Sequence, residues 1–457
     1  MRTHHILLTA ILACLLPPNL AAGSQAVWRF KLIEVPKLNL PGNTFSNPTA
    51  INDQGQVTGE SGSLATTVGL HAFLWSPGQP MVNLDDGKWP ATSGLFINES
   101  GLIAGDATFC PQENGGCPSQ PLLIEPDGQF TELEPIWLGY LVMQGINEAG
   151  MVIFNRNIDN ESNYIRPRQW RPGTGTLVLP VPSSAFSGYA LDQDQSGNAV
   201  GYSIGAGYTP HIWTDGTISS LETEPGGDGW AHCINESGTI IGRSTFNGNR
   251  HATRWMNAQS SPERLIDDPM ALESDGTHLL EDGTVLGTWT NSDNQVLTYR
   301  IAPDGTVDLL APPESQVKVL EVVPVTGNTN GWILCMYVNE FFQIQSVVHI
   351  PEEGWVFPNN RLLGFGSQTS ELPIDMNQSG QIITRGAQWT SPAFLDAMPP
   401  GDVNGDKTVG VDDILGVLEA FGICNPSPSR LCDADVTANG TVDVDDVLGV
   451  INNWPAP

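Results

Sequence analysis

Basic residues are scarce in this chain: 19 Lys and Arg stand against 50 Asp and Glu, a net charge of −31. A surface of that sign repels nucleic acid and anionic lipid and suits a soluble protein or one that binds cations. Long apolar runs are missing too. The one candidate, Ile6 to Leu16 after Arg2, is too short to span a bilayer and reads as a secretory signal with its cut between residues 22 and 26. A lipoprotein signal acylated at Cys14 is the alternative, which Leu12 suits poorly. Cysteine is limited to seven, six of them beyond the signal. Cys110 with Cys117 and Cys424 with Cys432 each flank a short insert and read as local disulfides of an exported protein, extracellular and open to attachment at a cell surface. Cys233 and Cys335 read as buried small residues. No His-Glu-x-x-His or phosphate loop occurs.

What is present is a repeat. Ile97 to Gly105 (INESGLIAG) has near-copies at Ile51 to Gly59, Ile146 to Phe154, Gln193 to Gly201, Ile234 to Gly242, Leu279 to Gly287, Gly327 to Cys335 and Met376 to Thr384. Asn or Asp opens a tight turn through its side chain, and Gly three residues later supplies the positive φ that closes a hairpin. Alternating apolar residues make both arms strands. The turn glycines, from Gly55 to Gly380, recur about every 46 residues, a period of all-strand units that points to propeller blades. A third strand follows, as in His71 to Trp75, His211 to Trp213 and His251 to Trp255; then a second turn and a short fourth strand. The N-terminal stretch Trp28 to Val35 is placed to complete the last blade and close the ring. The count is eight blades, with seven as the alternative.

The INDQGQVTG and HAFLW elements resemble the HAF-repeat family of extracellular proteins over residues 28 to 395. That resemblance implies a secreted β-propeller and no particular chemistry. Most Asp and Glu of this region, such as Glu99, Glu148, Glu236 and Asp304, sit in repeat turns and read as solvated turn residues. His71, His211 and His251 recur at one repeat position and read as packing or blade-to-blade contacts.

After the linker 397–400 the composition changes: residues 401–457 hold nine Asp and one Glu against Lys407 and Arg430. Residues 402–413 carry acidic or amide side chains at loop positions 1, 3, 5 and 12, where oxygens converge on Ca²⁺, and the pattern returns 33 residues later at 435–446. Ile414, Leu415, Leu418 and Phe421, and their counterparts Val447, Leu448, Ile451 and Trp454, predict an apolar stripe on a short helix after each loop. Two loop-helix units resemble a type I dockerin, a family that binds one Ca²⁺ per half and docks on a cohesin domain. The resemblance implies ligands at Asp402, Asn404, Asp406, Thr408 and Asp413, then Asp435, Thr437, Asn439, Thr441, Asp443 and Asp446. It implies partner contacts at Val411, Asp412, Val444 and Asp445, identical in both halves. Lys407 stands where such loops want Gly, and the second loop carries less charge, so the second site is expected to be weaker, with both at roughly 10⁻⁴ to 10⁻⁶ M.

The sequence therefore predicts a signal peptide at 1–26, a β-propeller at 27–396 and a small all-α, EF-hand-like dockerin domain at 401–457 with two Ca²⁺ ions. The predicted function is a secreted, non-catalytic propeller that binds or displays a ligand such as a glycan. It would be tethered to a cohesin-like domain, matrix or cell surface, with no nucleic-acid partner and no membrane span. The alternative is an enzyme on extracellular polysaccharide, an O-glycosyl hydrolase or lyase, with two carboxylates converging on the channel.

Overall fold

The computed structural model describes residues 25–63, 69–85, 87–109, 117–135, 139–157, 164–268, 271–351, 353–363, 371–386, 392–422 and 432–455. The predicted signal, apart from residues 25 and 26, lies outside them, as do Cys110 and Cys424. The chain forms two compact units: a larger one of Ile33–Phe357 with Gln368–Leu395, and a smaller one of Met1–Leu32, Pro358–Ser367 and Asp396–Pro457. No helix among the described residues is long and apolar enough to cross a membrane.

The larger unit is mainly β and propeller-like. In the second repeat the antiparallel strands Ala91–Ile97, Ile103–Thr108, Ser119–Ile124 and Phe130–Glu132 pair in sequence order. The same order holds in the first, third, fourth and fifth repeats. The next two, from Glu273–Leu279 to Gly354–Val356, join into one eight-stranded sheet through a single parallel pairing of Val296 with Glu321. In the last sheet Glu371–Met376, Ile382–Gly386 and Ala393–Met398 are followed by Arg29–Glu34, the N-terminal strand expected to complete it. All eight turn glycines adopt positive φ, between 72° and 90°, the conformation for which Gly was read.

Side-chain burial follows from the register. The second strand of each repeat begins on a residue with almost no solvent exposure: Val57, Ile103, Val152, Ala199, Ile240, Val285, Ile333 and Ile382. Across from four of them, on the third strand, stand Trp75, Trp170, Trp213 and Trp255. Trp213 and Trp255 are wholly buried, and their indole N–H groups donate to the Pro180 and Glu222 carbonyls at 2.7 and 2.8 Å. Each such side chain contributes about 1.5–3 kcal/mol over leaving it in water.

Neighbouring repeats are tied by the turn itself. Asn98 Oδ1 accepts from Ser100 N and Leu102 N within its own turn, while Nδ2 donates to the Asn147 carbonyl of the next repeat at 3.1 Å. Asn52 reaches Asn98 in the same way, Asn147 reaches Asp194, Asn328 reaches Asn377, and Asn377 reaches Asn52 at 3.0 Å. That last bond joins the last repeat to the first. A second belt runs one residue on: Glu99 accepts from Asp53 N, Glu148 from Glu99 N, Glu236 from Gln195 N, Gln378 from Thr329 N and Asp53 from Gln378 N. The reading of Glu99, Glu148 and Glu236 as merely solvated is thus corrected. Each carboxylate caps a backbone N–H of the repeat before it. Asp304 does stay exposed and accepts from Thr306 N in its own turn.

In the smaller unit, helices α1 (Val411–Ala420) and α2 (Val444–Asn452) follow the two loops. Val409, Val417, Val436, Val442 and Val450 form its core together with Ala26 and Ala434. The expected apolar stripe holds in part: Ile414 and Val447 pack against this core, whereas other members of it face solvent. Leu415 and Leu418 are 49% and 52% exposed, and Phe421 and Trp454 are exposed as well. The buried line of α1 starts on Asp413 and reaches Val417 one turn later, so a carboxylate sets the face and a search for apolar periodicity misses it.

Candidate functional site

Both acidic loops close in the same way. In the first, Asp402 accepts from Gly405 N, Asp406 N and Lys407 N. Asp413 bridges the loop to α1, accepting from Val403 N and Asn404 N with one oxygen and from Gly410 N with the other. In the second, Asp435 accepts from Asn439 N and Gly440 N, and Asp446 from Thr437 N and Asp443 N. All four aspartates are buried. Burial raises Asp402 and Asp435 above the ordinary carboxylate range, and the neighbouring charge of Asp413 or Asp446 adds to it. The remaining positions are nearer solvent. Asp406 accepts from Asn404 Nδ2 and the Thr408 hydroxyl, which hold its carboxyl low. In the second loop Asn439 and Asp443 both accept from the Thr441 hydroxyl, and Thr437 Oγ1 donates to Asp446.

The backbone follows one path in both loops. Position 4 is left-handed at Gly405 (φ 70°) and Ala438 (φ 56°), and position 6 at Lys407 (φ 70°) and Gly440 (φ 88°). Lys407 thus adopts the conformation for which Gly was expected, at a cost of roughly 1 kcal/mol. Its ammonium lies 2.7 Å from Asp396. Among the described residues no three His, Cys, Asp or Glu side chains stand grouped to hold a metal ion; Asp402, Asp413, Asp435 and Asp446 accept instead from backbone N–H groups. The donor set still fits a hard cation: every candidate ligand atom is oxygen, and each loop buries two carboxylates of like charge. Of the predicted partner contacts, Val411, Asp412 and Val444 are exposed and Asp445 is half-buried. Cys117 and Cys432 are each disulfide-bonded, with their expected partners outside the described residues. Cys233 and Cys335 are free thiols.

The larger unit holds a feature that went unread in the sequence. The fourth residue of the second strand, which follows Gly59, Gly105, Gly201 and Gly242 in four repeats and Thr384 in the last, faces one residue of the first strand, and these pairs do not repeat: Asn47 with Glu60, Ser93 with Asp106, Tyr189 with Tyr202, Trp230 with Arg243, Leu372 with Arg385. They touch from repeat to repeat. Ser93 donates to Glu60 at 2.6 Å, Tyr202 stacks on Trp230 at 5.3 Å, and Arg243 lies 3.4 Å above Trp230 while pairing with Asp275 at 3.0 Å. Burial, with Glu60 adding to it, raises Asp106 to about 6, so its carboxyl can hold or release a proton near neutrality. Aligning the eight repeats would have exposed this position as the one where the pattern breaks.

His71, His211 and His251 do not belong to that layer, nor do they share one repeat position: His71 and His251 face the fifth residue of the second strand, Ser61 and Ser244, whereas His211 faces the third, Gly201. His71 Nδ1 lies 2.6 Å from Asp85, and His211, fully buried between Ser203 and Ser220, is lowered to about 4 by desolvation. His251 is buried with Nδ1 unpartnered. They pack within a repeat rather than bonding between blades.

No family model and no curated protein matches the sequence. Among solved structures, the chain resembles a streptogramin B lyase at 12% identity and TM-score 0.40, covering 81% of this chain and 98% of that one. It resembles a puromycin hydrolase at 12% and 0.43, covering 78% and 61%. Prolyl oligopeptidase B from Galerina marginata follows at 12% and 0.46, covering 78% and 55%. The chain thus spans less than two thirds of the length of the hydrolase and of the oligopeptidase. The expectation of a non-catalytic display propeller, with a polysaccharide hydrolase or lyase as its alternative, is corrected by this finding. The structures named are those of a lyase, a hydrolase and an oligopeptidase. At these identities and TM-scores they assign no substrate to this chain.

Proposed function

We propose that the smaller unit is a calcium-binding module that takes two Ca²⁺ ions, one in each of the loops 402–413 and 435–446. The observation that carries this reading is the duplicated geometry: two oxygen-only loops with left-handed backbone at positions 4 and 6, each burying a position 1 and a position 12 aspartate. A bound divalent ion would supply the positive charge that offsets each buried carboxylate pair. Asp402, Asn404, Asp406, the Thr408 carbonyl and Asp413 would hold the first ion, and Asp435, Thr437, Asn439, the Thr441 carbonyl and Asp446 the second, with Asp443 acting through water. A dockerin-like reading places contacts with a cohesin-like partner on Val411, Asp412, Val444 and Asp445. We read the larger unit as an eight-bladed propeller of HAF-like repeats and the chain as exported, where Ca²⁺ in the millimolar range would fill both sites.

Calorimetric titration of the full chain with Ca²⁺ tests the module. Two equivalents should bind, and Asp413→Ala and Asp446→Ala should each remove one of them. Heat from neither site, or a variant that keeps both, would sink the reading.

A further inference from the structure

The second loop is held by a residue far from it in sequence. Arg29 is 3% exposed, and its guanidinium donates to the backbone carbonyls of Cys432 at 2.8 Å, Asp433 at 3.1 Å and Asp435. Asp435 is position 1 of the second loop, so Arg29 fixes the backbone at the point where the loop begins. The segment around it is built in as well. Val27 N donates to the Val436 carbonyl at 3.1 Å, and Ala26 belongs to the core beneath α1 and α2. Phe30 and Lys31 pair in parallel with Leu362 and Leu363, and Arg361 reaches the Trp28 carbonyl at 3.3 Å. The N-terminal segment is thus clamped from both sides.

Charge follows the same arrangement. Arg29 interacts electrostatically with Asp433, Asp435 and Asp446, the last two at positions 1 and 12 of the second loop, and is opposed by the like charge of Arg361. On the first loop the corresponding contact comes from Lys31, two residues on along the strand, whose ammonium donates to the Gly405 carbonyl at 3.1 Å. Lys31 is exposed. A charge open to water is screened, whereas a buried one is not. The two loops are alike in path and ligand pattern but unlike in the cation that stands beside them.

We propose that Arg29 is a resident cation of the second loop: without metal it keeps residues 432–446 folded, while residues 402–413 depend on Ca²⁺. This inference rests on the calcium reading above for the first loop, and not for its account of Arg29. Arg29 is a positioning residue. It orders the loop start through three carbonyls and offsets the buried carboxylates, and its charge opposes a divalent ion at the same place. The second site should accordingly be the weaker of the two.

Hydrogen exchange of the full chain, followed by mass spectrometry with saturating Ca²⁺ and with EGTA, tests this. In the unmodified chain EGTA should raise exchange at least tenfold across 402–413 and less than twofold across 435–446. Arg29→Gln should make 435–446 exchange at least tenfold faster in EGTA, with protection restored by Ca²⁺, and Arg29→Lys should fall between. Equal opening of both loops in the unmodified chain would overturn the proposal, as would Arg29→Gln behaving like the unmodified chain in EGTA. Should Arg29→Gln fail to fold, seen as loss of protection in the larger unit, the contrast between loops in the unmodified chain decides alone. An EGTA response in neither loop would instead overturn the calcium reading and the contrast, with the glutamine variant in EGTA still deciding whether Arg29 holds 432–446.

Discussion

Asp192 and Asp375 occupy the same place in two repeats, just after the irregularity that breaks the register of each first strand. One accepts from Ile234 N at 2.9 Å and the other from Ile51 N at 3.1 Å, each on the repeat that follows. Burial raises both to about 6. The folded form therefore holds protons more tightly than the unfolded chain, where an aspartate titrates near 3.9. The stability that these groups add is fully present below about pH 4 and is lost as pH rises through about 6. Asp192→Asn and Asp375→Asn remove the ionisation but keep only one of two accepting oxygens, since Asp192 also accepts from Gln193 N and Asp375 from Met376 N. Each should therefore lower the unfolding midpoint at pH 4 and lower it less at pH 8, in denaturant titrations at the two pH values. An equal change at both pH values would mean that the carboxylates carry no charge cost. Neither role could be read from sequence, because an aspartate in a strand looks the same whether it meets water or the backbone of a neighbouring repeat.

Hairpin turns were the most readable element, and they show where such reading stops. The Asn-to-Gly spacing predicts the turn from local sterics, and the positive φ at all eight glycines agrees. The second task of the Asn, donation to the next turn, depends on a neighbour about 46 residues away and leaves no local trace. Asn98→Ala removes both the cap and the link, leaving two backbone N–H groups and a carbonyl short of partners, at a cost of about 2–3 kcal/mol. Asn98→Asp should cost less, since Asp194 fills the equivalent place and still caps its turn through Asn198 N at 2.8 Å. Chemical unfolding of the two variants should give that order. The helices of the smaller unit make the complementary case. Val417→Ala, at a wholly buried position, should lower stability by about 2 kcal/mol, and Leu415→Ser, half exposed, by no more than about 0.5 kcal/mol. The expected stripe favoured the leucine because it weighed apolar residues alone, while the buried face is laid out from Asp413.

At the scale of the molecule, the contacts that matter most join residues that the sequence holds farthest apart. Asn377 to Asn52 ties the last repeat to the first across 325 residues, and Arg29 to Asp435 spans 406. The pairing of the N-terminal strand Arg29–Glu34 into the last sheet was anticipated because repeats imply an edge that must be covered. The Arg29 contact was not, since nothing repeats there. Calcium should act on these parts differently. A ligand that binds only the folded form stabilises it by RT ln(1 + [L]/Kd), about 2.7 kcal/mol at a concentration a hundred times Kd. When the full chain is heated and followed by hydrogen exchange, EGTA should lower the temperature at which residues 402–413 open and leave that of the strands of the larger unit in place. Opening of both together at one lowered temperature would show that the calcium loops support the whole chain. In that event the variants Asp413→Ala and Asn98→Ala, placed in different units, should cease to be additive, and a double-mutant cycle would measure the coupling between them.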